Sequence, residues 1–62
     1  LSPQQDIVWE YIANQNNVVT PLEISQATNI PRPTINQVLN KLLQLKWIER
    51  IGIGRTTRYK KR

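Results

Sequence analysis

PRPTINQVLNKLLQLKWIERIGIGRTTRYKKR, residues 31 to 62, is the stretch whose reading decides the fold. Stepping about 100° per residue from Ile35 puts Ile35, Val38, Leu39, Leu42, Leu43 and Leu45 on one side of a helix. Pro33, Thr34, Asn36, Gln37, Asn40, Lys41 and Gln44 fall on the other side, which is wholly polar apart from the opening proline. Beyond it the period shortens. Trp47 to Ile51 reads as a strand, Gly52-Ile53-Gly54 as a turn and Arg55 to Lys60 as the returning strand of a hairpin.

Working back toward the N-terminus, Pro31 and Pro33 block continuation of any earlier helix and hold Arg32 extended before the helix of residues 33 to 45. Asn29 stands where the chain must turn through a left-handed residue, and Ile30 is placed to plug the gap between helices. Thr20-Pro21-Leu22-Glu23 matches a capping box with proline at the first helical position, so a second helix runs to about Thr28 and buries Leu22 or Ile24, together with Ala27. Val18-Val19-Thr20 is long enough only for a token edge strand. Ser2 followed by Pro3 opens a first helix over about residues 3 to 14, with Val8, Trp9 and Ile12 on one face and Ile7 and Tyr11 on its shoulder. The expected fold class is mainly α with a small β-hairpin.

All nine Lys and Arg residues lie in residues 31 to 62 beside one acid, Glu49, giving about +8; residues 1 to 30 hold Asp6, Glu10 and Glu23 and no cation, giving about −3. The net +5 is therefore polarised, and six of the nine cations lie in residues 50 to 62. Such a field favours a polyanion, either nucleic acid or an anionic membrane surface. A membrane binder would carry its cations on an amphipathic helix; here most lie in the hairpin. No apolar run approaches the ~20 residues that span a bilayer, which predicts a soluble protein with no membrane partner.

With no Cys and no His there is no disulfide framework, thiolate, imidazole base or plausible metal set, and the four carboxylates are scattered. No enzyme, no cofactor and no metal are expected. At 62 residues the chain forms one domain with a small core. The lack of any Met, at position 1 as elsewhere, predicts a piece of a longer protein.

Three helices, a short turn between the second and third, and a terminal basic hairpin are in the order of a three-helix winged helix-turn-helix. Residues 20 to 30, Arg32-Pro33-Thr34-Ile35 and Trp47-Ile48-Glu49-Arg50 resemble the second helix, recognition-helix start and strand entry of bacterial winged-helix DNA-binding regulators. Gly52-Ile53-Gly54-Arg55-Thr56-Thr57-Arg58-Tyr59 is similar to the wing of winged helices appended to Fic-type and ATPase-type bacterial proteins. Lys46 departs from the pattern, because many relatives have glycine there. The resemblance implies a cytoplasmic, nucleoid-associated transcription regulator whose partner is double-stranded DNA. A parent catalytic or sensor domain and a homodimer are the further partners it allows. A narrower resemblance, on Ile30-Pro31-Arg32 and Ile35 to Leu39, is to domains that bind Z-form nucleic acid. Asn40 stands in place of that family's key tyrosine, and Thr56-Thr57 in place of its wing prolines.

Each candidate residue has a chemistry suited to the polymer. Asn and Gln can bond adenine N6 and N7 together, which makes Asn36, Gln37 and Asn40 the base readers; an ordinary solvated helix face is the alternative. Arg32 and Thr34 can meet phosphate beside free helix N–H groups, and Thr34 could equally cap the helix. Lys41, Arg55, Thr57, Arg58 and Lys60 are the backbone contacts. Lys61 and Arg62 are either further contacts or a solvated tail. Trp9, Tyr11, Trp47 and Tyr59 are expected in or at the edge of the core rather than as stacking platforms. The rivals to DNA are a protein-interaction winged helix, with Leu43, Leu45 and Ile53 as its docking surface, and structured RNA.

Overall fold

The computed structural model describes residues 1–52, 54 and 57–62. In chain order the elements are α1 (Pro3–Ala13), α2 (Pro21–Thr28), α3 (Arg32–Gln44), β1 (Ile48–Ile51) and β2 (Arg58–Lys61). The first two helices start alike. The Ser2 hydroxyl accepts the Gln5 N–H (3.2 Å) while the Gln5 side chain accepts the Ser2 N–H (3.0 Å), and Thr20 and Glu23 form the same reciprocal box, with proline at the start of each helix. The capping reading of Thr20 therefore holds. Each box satisfies N–H groups that the first helical turn leaves without partners.

The α2–α3 turn is fixed from three sides. Asn29 adopts φ 62°, left-handed as its position required. The Ser25 hydroxyl donates to the Ile30 carbonyl at 2.6 Å, and Thr28 donates to Ile24 at the same distance. Ile30 is buried beneath the turn.

α3 begins at Arg32, one residue earlier than expected, because the Pro31 carbonyl already accepts the Ile35 N–H at 3.0 Å and makes Pro31 the capping position. Pro33 is tolerated at the second helical position, where a missing N–H costs no intrahelical bond. Its far end is a Schellman closure: Trp47 N–H donates to Leu42 O (3.1 Å) and Lys46 N–H to Leu43 O (3.0 Å). Lys46 takes φ 62° to make it, filling with a lysine the role glycine usually has. Trp47 is consumed by this closure, so β1 starts at Ile48 and not at Trp47.

β1 and β2 pair antiparallel with Ile48 opposite Lys61, Glu49 opposite Lys60, Arg50 opposite Tyr59 and Ile51 opposite Arg58. The returning strand starts at Arg58, later than the expected Arg55, which lies outside the described residues. Val19 forms the anticipated edge bridge, to Tyr59.

Val8, Ile12, Val19, Ile24, Ile30, Ile35, Val38, Leu39, Leu42, Ile48 and Tyr59 form the core. Every element contributes to it, and no polar or charged residue among those described is buried. α2 contributes only Ile24: Leu22 is half exposed and Ala27 is exposed, because eight residues give this short helix a single inward position. Leu45 lies just beyond α3 and is 38 % exposed, so the apolar side of the helix effectively ends with Leu42 and half-buried Leu43.

Candidate nucleic-acid interface

The core-facing positions of α3 fix what its other side presents. Arg32, Asn36, Asn40 and Gln44 follow one another at intervals of four, and Pro33, Gln37 and Lys41 form the neighbouring row; all seven are exposed. Each interval advances about 6 Å along the axis, so the first row is a strip of about 18 Å with a cation at its start and amides after it. An α-helix of this kind fits a major groove.

α3 differs from the other helices at its N-terminus. Pro31 offers no capping side chain, and no side-chain cap is formed. The N–H groups of Arg32 and Thr34 are therefore left at the positive end of the helix dipole. Thr34 occupies the third helical position and is half-buried, so it does not cap α3.

In the hairpin, residues directly opposite one another share a face and successive pairs alternate. Ile48 and Tyr59 turn inward to the core, which assigns Glu49, Ile51, Arg58 and Lys60 to the outer face. Arg58 and Lys60 thus stand together, exposed, with Glu49 directly opposite Lys60. Arg50 pairs with Tyr59 on the other face. At the tip, Gly52 and Gly54 both have positive φ (82° and 63°), and the Thr57 hydroxyl donates to the Gly54 carbonyl at 2.7 Å. That bond uses the hydroxyl's only proton, so a phosphate would have to compete with Gly54 for it. Arg55, the expected wing-tip contact, is outside the described residues, as are Ile53 and Thr56.

The structure thus gathers Arg32, Asn36, Gln37, Asn40 and Lys41 on one helix side and Arg58 and Lys60 on one hairpin face. Of the aromatics, Tyr59 is buried and Trp9 and Tyr11 half-buried. Trp47 is 39 % exposed and meets Trp9 with ring centroids 5.2 Å apart. Composition gave no warning that Trp9, Lys46, Trp47, Lys61 and Arg62 would line a common groove. It exists because the Schellman closure and the open end of the hairpin meet against α1.

A three-helix core, a short α2–α3 turn, an exposed polar side on α3 and a basic hairpin define a winged helix-turn-helix. The MarR family model matches residues 1–58, and the chain belongs to the MarR family. Among solved structures, the ferric uptake regulator Fur of Helicobacter pylori is similar in fold, with a TM-score of 0.87 at 19% sequence identity. The match covers 98% of this chain and 45% of that one, so the chain spans less than half the length of that regulator. No curated protein matches it. The domain is a DNA-binding module of the transcription-regulator type.

Proposed function

We propose that α3 enters the major groove of double-stranded DNA while the outer face of the hairpin follows the adjoining phosphate backbone. The observation that carries this reading is the uncapped start of α3, with Arg32 and two free N–H groups, at one end of the Asn36–Asn40 row. Phosphate at the helix start would set the register, and the amides would then reach base edges. Arg58 and Lys60, with Arg55 and Thr57 nearer the tip and Lys41 on α3, complete the backbone contacts in this reading. Most of the affinity then comes from charge neutralisation and the discrimination from Asn36, Gln37 and Asn40.

In this reading the module acts by binding and has no catalytic step; Asp6 and Glu10 are exposed four residues apart on α1, and Glu23 and Glu49 are exposed on α2 and β1. Among the described residues no helix is long and apolar enough to cross a membrane. The cytoplasmic location belongs to the regulator reading itself. Amide chemical-shift mapping with a duplex at moderate salt tests the placement. Shifts confined to residues 32–44 and 57–60 are expected; a duplex that leaves both segments unmoved overturns it.

A further inference from the structure

The groove between α1, the end of α3 and the open end of the hairpin has a volume of roughly 330 Å³ and is lined by Trp9, Lys46, Trp47, Lys61 and Arg62. It lies at the end of α3 remote from Arg32 and at the end of the hairpin remote from its turn. Its three cations are held by their backbones. Lys46 N–H is bonded to Leu43 O, Lys61 is in register opposite Ile48, and Arg62 N–H donates to Trp47 O at 3.1 Å. None of the three forms an ion pair with Glu10, Glu49 or any other carboxylate among the described residues. Lys46 sits in a left-handed conformation that glycine would adopt without strain, and its side chain is what glycine would remove from the groove.

We propose that this groove is the docking site for an acidic segment of a partner polypeptide. Its carboxylates would meet Lys46, Lys61 and Arg62, and an apolar side chain would seat against Trp47 and Trp9. Charge complementarity selects the acidic partner: three unpaired cations surround an aromatic pair, and tryptophan and arginine are residues on which interface energy concentrates. Two further features select a polypeptide. The groove is broadly open to solvent, whereas small-molecule sites enclose most of their ligand. The two indoles pack on each other with planes inclined at 54°, so they offer an apolar surface and no parallel faces for successive stacked bases. Because the groove lies past the C-terminal end of α3, while DNA in the proposed reading is anchored at Arg32 and the helix start, the domain can hold the segment and DNA together.

The test uses the domain with a capped synthetic peptide of alternating glutamate and leucine, followed through the indole N–H signals of Trp9 and Trp47. Saturable shifts of both indoles and of the amides of Lys46, Trp47 and Lys61, weakened by added salt, are expected. The double substitution K61E/R62E, at exposed positions, should weaken binding by roughly tenfold or more. K46G should weaken it several-fold while making the fold more stable, which separates loss of the site from loss of structure. The peptide should bind equally well to the DNA-loaded domain. Unmoved indoles at saturating peptide, unchanged affinity in K61E/R62E, or peptide shifts centred on Asn36 and Asn40 would each overturn the proposal. So would oligothymidylate moving the indoles at lower concentration than the peptide. The peptide arm contains no DNA, so its failure and the failure of the DNA reading are separate results.

Discussion

Val19 and Tyr59 exchange two backbone hydrogen bonds, each 2.8 Å long, and so tie the segment entering α2 to the returning strand of the hairpin. β2 is thereby held between β1 and Val19, with the Tyr59 ring buried against the helices. A two-stranded hairpin by itself is marginal in water. Here the wing's root is part of the core, and the wing's orientation relative to α3 follows from it.

Tyr59→Phe keeps the ring, and no hydrogen bond from the Tyr59 hydroxyl is seen among the described residues; the variant should stay within about 0.5 kcal/mol of the parent. Tyr59→Ala should lose about 3 to 5 kcal/mol, as large aromatic truncations do. For a chain of 62 residues that is comparable to the whole expected stability of about 3 to 9 kcal/mol. Urea denaturation should therefore show Tyr59→Phe folded and Tyr59→Ala largely unfolded. An equal, small effect of both would mean that the wing root is not part of the cooperative core.

Lys46 closes α3 at φ 62°, a conformation that costs an ordinary L-residue about 1 kcal/mol. Lys46→Gly removes the clash, offset in part by the greater freedom of glycine in the unfolded chain. A net gain of about 0.5 to 1 kcal/mol is expected, read as a higher urea midpoint at unchanged slope. Lys46→Ala, which keeps a Cβ in the same backbone conformation, should show no such gain.

The sequence already pointed to Lys46 as the place where glycine was missing, and this shows how much of the fold was legible. Helix caps and periodicity are local, so Ser2, Thr20, Asn29 and the inward row Ile35, Val38, Leu39 and Leu42 could be read from short windows. What α2 buries could not, because a helix of eight residues has one inward position and only packing chooses between Leu22, Ile24 and Ala27. Periodicity could not show that Trp47 serves the helix closure rather than the strand, since both begin with an extended apolar residue. The polar row of α3 and the Arg58–Lys60 face were visible as residue types. The groove of Trp9, Lys46, Trp47, Lys61 and Arg62 was not, because it joins residues up to 53 positions apart in the chain (62 less 9).

Thr20→Ala removes the oxygen that accepts the Glu23 N–H at 3.1 Å and breaks the reciprocal box. A loss of about 1 kcal/mol is expected. The effect should centre on α2, seen as faster amide hydrogen exchange at Glu23 and Ile24. Thr34→Ala, at a helix start without a side-chain cap, should cost less stability than Thr20→Ala. The reverse order in thermal or urea melts would contradict the assignment of these two threonines.

Duplex binding should separate Arg58 and Lys60 from Asn36 and Asn40. The two cations share the outer hairpin face, exposed, with only Glu49 opposite Lys60 to offset their charge. Replacing either by alanine should weaken binding to specific and random duplexes alike and flatten the salt dependence by about 0.9 in log–log slope for each phosphate no longer neutralised. Asn36 and Asn40 carry no charge, so their alanine variants should leave that slope unchanged. They should instead reduce the preference between sequences, by about 1 to 3 kcal/mol for a bidentate contact. Fluorescence anisotropy across a salt series, run with one preferred and one random duplex, reads both quantities. If the asparagine variants lose equal affinity for both duplexes, the row on α3 holds backbone and does not read bases. If the cation variants leave the slope unchanged, the outer hairpin face does not touch phosphate.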